Sequence, residues 1–235
     1  MFAITPHMMS NFFNSISKFI ILLSIILITV AGVLIIFLEN DYYQGISFKI
    51  MFIHVPAAWL SLMIFVSMGI SSIIGLIFKS PTSFTISRSL SPVGLIMSIM
   101  VLITGSIWGN LTWGTYWVWD ARLTSMLILA FIYLGHLFLL YSFEHFQKAD
   151  FAASILAIIG MVNIPIVKFS VDWWTTLHQG SSVFKVSGPS MTTDYLITLM
   201  VSFFAILLLS LYWFTNIFYI ITENRRIERA KLLND

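Results

Sequence analysis

Apolar positions in this chain neither alternate with polar ones nor keep to a single helical stripe. They come in six long runs, at about 19–38, 55–78, 91–108, 123–143, 151–169 and 195–222. Crossing the hydrocarbon core of a bilayer takes roughly 20 apolar residues in a helix. A spanning segment must also satisfy its own backbone hydrogen bonds, which long unbroken runs do as helices and short alternating strands do only in a closed barrel. The pattern therefore predicts an all-α integral membrane protein, a bundle of six transmembrane helices forming one polytopic membrane domain over 1–235. The first run ends in "FLENDYYQ" without a small-residue cleavage site and reads as a retained helix. Pro56 suits the first turn of the second helix, and Val55 before it is biased towards extended geometry, which puts His54 at the helix mouth.

Composition sharpens this picture. Of 235 residues 59% are hydrophobic and 9% charged, too few charges to cover a soluble domain. The absence of cysteine excludes disulfides, thiolate metal sites and covalent haem attachment through this chain. There is no phosphate-binding G-x-x-x-x-G-K-[ST] loop, and a net charge of +2 does not point to nucleic acid. The mixed-charge tract 223–235 reads as a solvated basic tail or a small partner-docking helix.

The distribution of lysine and arginine sets the orientation. Lys18, Lys79, Arg88, Lys148, Arg225, Arg226, Arg229 and Lys231 fall at the N-terminus, even loops and tail; Lys49, Arg122, Lys168 and Lys185 fall in the odd loops. The positive-inside bias then places both termini on the cytoplasmic or equivalent side. Three polar stretches meet on the outer face: "KIMFIHVPAAW", "WGNLTWGTYWVWDARLT" and "DWWTTLHQGSS".

The middle stretch holds Trp108, Trp113, Trp117 and Trp119 within twelve residues. As a strand it would align Trp113, Thr115, Trp117 and Trp119; as a helix it would align Trp113, Trp117 and Asp120. Two readings stand side by side: an aromatic belt at the headgroups, and a wall for a planar conjugated ligand. His54 and His178 flank this loop from separate segments, and two imidazoles can approach a porphyrin iron from opposite faces. A zinc site would lack its further ligands. Trp174 shares a face with His178 if 171–180 is a short helix. Arg122 and Lys49 suit carboxylates such as haem propionates, or else headgroups; Asp120 suits orienting the loop or an indole N–H. His136 falls inside the fourth run and reads as hydrogen-bonded to a neighbouring helix. Gly105 and Gly109 form a small-xxx-small pattern suited to helix packing. A channel or carrier, or a scaffold subunit without a ligand, are the rival functions. No grouping suggests hydrolysis, so a binding and transfer protein is favoured over an enzyme.

"WGTYWVWDARLT", with "IHVPAAW" before it and "TLHQG" after it, resembles the tryptophan-rich WWD signature and paired histidine motifs of the CcmC family, the haem-handling membrane proteins of cytochrome c maturation. The resemblance runs through nearly the whole chain in order. Tyr116 stands where that family is expected to tolerate tryptophan, and Lys49 where a basic residue is expected. It implies a multi-pass protein of the bacterial inner membrane, or of the mitochondrial inner membrane. It implies non-covalent, transient binding of haem b, with His54 and His178 as axial ligands. It implies that the outer WWD loop 108–122, through Trp113, Trp117, Trp119 and Asp120, holds the porphyrin and presents its edge. The implied partners are the haem chaperone CcmE, the small protein CcmD, and the transporter subunits CcmA and CcmB. No nucleophile of this chain would take part in the transfer.

Overall fold

A computed structural model describes residues 5–180, 182–183, 185 and 188–232; residues 233–235 of the basic tail lie outside the described residues. Among the described residues there are seven α-helices: α1 (Pro6–Phe37), α2 (Met51–Phe78), α3 (Pro81–Trp113), α4 (Ala121–Tyr141), α5 (Phe146–Gly160), α6 (Asn163–Trp173) and α7 (Thr193–Leu232). A 3-10 turn at Ile46–Ile50 leads into α2. By length and apolar composition these helices make six spans, with α5 and α6 together forming the fifth. The protein is a multi-pass, all-α membrane protein. An even number of spans returns both termini to the same end of the bundle.

The fifth span, expected as one helix, is broken at Met161–Val162. Proline lacks the N–H that would reach back four residues, so Pro165 cannot donate to the Met161 carbonyl. That carbonyl instead accepts from Ile164 N–H at 3.1 Å, a tighter three-residue bond. Asn163, at the start of α6, is buried and its Nδ2 donates to the Ser125 carbonyl on α4 at 2.9 Å. The break thus ties α6 to α4 and redirects the chain ahead of Lys168, Asp172 and His178.

Pro56 also departs from expectation. It lies in the second turn of α2 rather than the first, because the 3-10 turn and Met51 start the helix upstream; Val55 is helical. Phe52 and Pro56 are both buried, and that packing overrides the local bias.

Helix packing explains the rest of the frame. Ser10, Ser17, Ser24 and Ala31 recur every seven residues on α1 and are buried, while Leu22, Ile25 and Ile36 on its other faces are exposed. A seam of small side chains lets the α1 and α7 backbones approach, and Ser24 Oγ donates to the Ala205 carbonyl at 3.0 Å. The core between α2, α3 and α4 centres on Phe65, Met68, Met97, Leu129 and Tyr133. Tyr133 Oη donates to the Ser61 carbonyl at 2.7 Å, and a methyl added at Gly94 would collide with its ring. His136, fully buried, bonds Ser91 Oγ on α3 through Nδ1 at 2.9 Å, the interhelical role expected for it.

Arg88, counted above among loop charges, is instead buried inside α3. Its Nη2 and Nε donate to Asp150 Oδ1 at 2.9 and 3.2 Å, and Nη1 donates to the Leu140 carbonyl at 3.3 Å. Arg225 Nη2 donates to Asp150 Oδ2 at 2.6 Å. Both guanidiniums lie over the Phe146 ring, 4.4 and 4.7 Å from its centre. This cluster joins α3, the end of α4, α5 and α7 at the bundle end that carries the termini.

Candidate functional site

At the opposite end the connections 38–50 and 114–120 and the described residues of 174–192 come together. The WWD stretch adopts neither of the geometries considered for it. Trp108 and Trp113 belong to α3, which Gly114 closes in the left-handed conformation at φ 75°, a position that favours glycine. Asp120 caps α4, its Oδ1 accepting the Leu123 N–H at 2.8 Å, and Arg122 lies in the first turn of that helix. The irregular loop is therefore 114–120 rather than the expected 108–122. Helix α6 likewise ends at Trp173, so 174–180 is not a helix and Trp174 does not stack in register with His178.

A partly open cleft lies here, with about 830 Å³ of atom-free space counted out into the solvent at its mouth. His54, Ala58 and Trp59 line it from α2, Gly105 and Ser106 from α3, Arg122 and Met126 from α4, and Val167 and Lys168 from α6. Trp117 and His178 close it from the two loops.

Both histidines are held by the same nitrogen. His54 Nδ1 lies 3.0 Å from Thr104 Oγ1, and that hydroxyl gives its single proton to the Met100 carbonyl at 2.6 Å. The threonine oxygen therefore accepts, His54 Nδ1 carries the hydrogen, and Nε2 keeps its lone pair. His178 Nδ1 lies 3.4 Å from Asp120 Oδ2, a carboxylate oxygen that can only accept, so its Nε2 is also a bare acceptor. Burial first, and the Arg122 guanidinium second, hold the His178 imidazolium below its ordinary range, against the opposing pull of Asp120. His178 is consequently a neutral imidazole near pH 7, the form that binds metals.

Aromatic side chains fix both rings. Trp108 meets His54 edge-on at 5.7 Å between ring centres, and its indole N–H donates to Gln44 Oε1 at 2.8 Å. Trp113 meets His178 edge-on at 4.9 Å. Trp117 faces the cleft and carries Trp119, three-quarters exposed, against its outer side at 5.5 Å. The Trp117 indole N–H is buried and finds no acceptor among the described residues. Asp120 and Asp172 are the carboxylates that face Arg122, yet neither forms a direct ion pair with it. The cleft thus presents a guanidinium and an indole donor together with two imidazole acceptors.

Two residues singled out from the sequence stand apart. Lys49 Nζ donates to the Ile36 carbonyl at 3.4 Å and does not line the cleft. Trp174 is half exposed and packs on Trp173 at 5.7 Å. The cleft instead contains Lys168, which sequence reasoning treated as an outer-loop charge; the register of α6 after the Pro165 break brings it in. A sequence signal existed, a lysine three residues after a proline within an apolar run, but its direction depended on the break.

The glycines of the small-xxx-small pair serve this site. A methyl at Gly105 would sit 2.9 Å from His54 Cε1, and one at Gly109 would sit 3.3 Å from the Trp113 ring. Gly105→Ala is expected to push the His54 ring aside while the fold persists. In histidine-labelled protein its imidazole resonances should shift, while those of the distant His136 stay in place; an unmoved His54 would show that the ring has room to spare.

Comparison with known proteins follows the same lines. The chain matches the family model of CcmC, described as heme exporter protein C, over residues 2–232. It is 46% identical over 170 residues to the heme exporter protein C of Bradyrhizobium diazoefficiens, an alignment covering 72% of this chain and 65% of that protein. It thus spans just under two thirds of that relative's length. With the heme exporter protein C of Escherichia coli (strain K12) it shares 44% identity over 175 residues, 74% of this chain and 70% of the relative. A ccmC-like mitochondrial protein of Marchantia polymorpha is 46% identical over 188 residues, 80% of this chain and 77% of its own length. With bacterial and mitochondrial relatives alike, this chain belongs to the CcmC, or heme exporter protein C, family of membrane proteins.

Proposed function

We propose that the cleft binds haem b through His54 and His178 and presents it to a partner at the outer face of the membrane. The observation that carries this reading is the pair of bare Nε2 atoms in one cleft, each imidazole secured by its Nδ1–H to an oxygen. Ligating histidines are oriented by such outer partners, which also raise their donor strength. Trp117, with Trp119 behind it, supplies an aromatic side to the cleft. Arg122, Lys168 and the Trp117 N–H supply cationic and hydrogen-bonding partners for two carboxylates. His54 and His178 would together hold the iron without an open site, which would suppress oxygen chemistry during storage.

The excess of basic residues on the terminal side supports placing the cleft outside, in the periplasm or its mitochondrial equivalent. In this reading the haem chaperone CcmE receives the cargo, and CcmD, CcmA and CcmB accompany the protein in the membrane. Trp119, Tyr116 and Trp174, all exposed at this end, surround the approach that such a receiver would use. His178 sits on the loop and His54 on a helix, so release by loop displacement starts at His178.

The test is a haem titration of the detergent-purified protein followed in the Soret region. A low-spin, six-coordinate spectrum saturating at one haem per chain is expected; a folded protein that refuses haem overturns the reading. Haem dimethyl ester probes the carboxylate contacts. Arg122→Gln and Lys168→Gln should each weaken binding of the diacid several-fold and leave the ester unaffected. Equal losses for diacid and ester would remove these side chains from carboxylate recognition.

A further inference from the structure

We propose that Thr104 is a positioning residue that determines which nitrogen of His54 faces the cleft; as a statement about haem, this rests on the reading above. Thr104 is one helical turn beyond Met100 on α3, and its hydroxyl proton is committed to that carbonyl at 2.6 Å. What remains on the oxygen is lone-pair density, aimed at His54 Nδ1 3.0 Å away. A backbone carbonyl, acting through one hydroxyl, thereby selects the tautomer of a histidine on another helix. The opposite tautomer would place a bare Nδ1 against an oxygen with no proton to give, and would put an N–H where the cleft needs a lone pair.

The neighbouring residues complete the seat. Gly105 leaves room for the imidazole edge, since a methyl there would stand 2.9 Å from Cε1. Trp108, four residues on from Thr104 and on the same face of α3, closes on the ring at 5.7 Å. The sequence T-G-S-I-W at 104–108 therefore forms a seat for one imidazole, in which Thr104 supplies the side-chain hydrogen bond beside a backbone contact from Val101.

The two histidines are held unequally as a result. His178 donates to the carboxylate of Asp120, whereas His54 donates to a neutral hydroxyl. A carboxylate draws more strongly on the N–H and makes the imidazole a better donor, so His54 is the weaker electronic ligand of the pair. It is nevertheless the better anchored one, on α2 between α3 residues.

Thr104→Val and Thr104→Ser separate this role from simple packing. Valine keeps the shape and loses the acceptor; serine keeps the hydroxyl. The first readout uses haem-free protein carrying nitrogen-labelled histidine. The wild type and the serine variant should show His54 with a protonated Nδ1 and a bare Nε2, and the valine variant a reversed or mixed tautomer. The second readout is haem-loaded protein. Thr104→Val is expected to retain haem 10- to 100-fold less tightly, the loss typical of removing a ligand's outer partner, and to shift its midpoint potential, with Thr104→Ser restoring both. A valine variant with the wild-type tautomer and potential overturns the inference. If His54→Ala binds haem like the wild type, the ligand assignment fails, and the haem-free spectra still decide whether Thr104 sets the tautomer.

Discussion

His54→Ala is expected to give a folded protein whose haem spectrum changes from six-coordinate low-spin to five-coordinate high-spin, with affinity reduced by more than about 100-fold. Removing an outer-shell partner alone costs about 10- to 100-fold at a metal site, and loss of the ligand itself removes the bond that partner supports. The substitution creates a defined space, because Thr104, Gly105 and Trp108 remain around the vacated ring. Added imidazole should therefore enter it and restore the low-spin spectrum. His178→Ala should lose haem comparably but recover less with imidazole, since its surroundings are an irregular segment and the Asp120 carboxylate. Absorption spectra with and without imidazole check both. Wild-type spectra in the two alanine variants would return the tryptophans to the role of an interfacial belt.

Asp150→Asn is expected to be the most damaging single change away from the cleft. Asp150 is buried and serves two arginines, Arg88 through Oδ1 and Arg225 through Oδ2, so neutralising it leaves two guanidiniums together without a counter-charge. Breaking a buried ion pair from one side costs about 3–5 kcal/mol, because the remaining charge stays desolvated. Replacing all members with apolar side chains avoids that cost, so Arg88→Met, Asp150→Leu and Arg225→Met combined should regain most of the stability. Titration with a denaturing detergent, followed by helical circular dichroism, compares the two proteins. A tolerated Asp150→Asn would mean that water or lipid phosphate already shares the cluster. Either way, haem binding per folded molecule should be unaffected, since the cluster is at the other end of the bundle.

The chain's local pattern carried much of this structure. Six apolar runs specified six spans because the length of a spanning helix is a property of the bilayer and the backbone, independent of tertiary contacts. His54, His178 and the tryptophans could be singled out because two histidines from separate segments flank four tryptophans packed within twelve residues. The paths between them were less legible. Gly114 closes α3 and Asp120 caps α4, and their combined effect, a seven-residue loop that turns Trp117 into the cleft, depends on the packing of α3 and α4.

Residue type and spacing by themselves determined the membrane-spanning class, the number of spans and the polar end where chemistry collects, since each follows from transfer of local segments out of water. Tertiary structure alone decided that Lys168 and not Lys49 lines the cleft, that Arg88 is buried rather than in a loop, and that Thr104 and Asp120 hold the two imidazoles. The partners in these contacts are 50 and 58 residues apart for the histidines and 62 apart for Arg88 and Asp150. Their pairing depends on helix rotation and on the break before Pro165, and a rotation of one residue, about 100°, turns a cleft-lining side chain towards lipid.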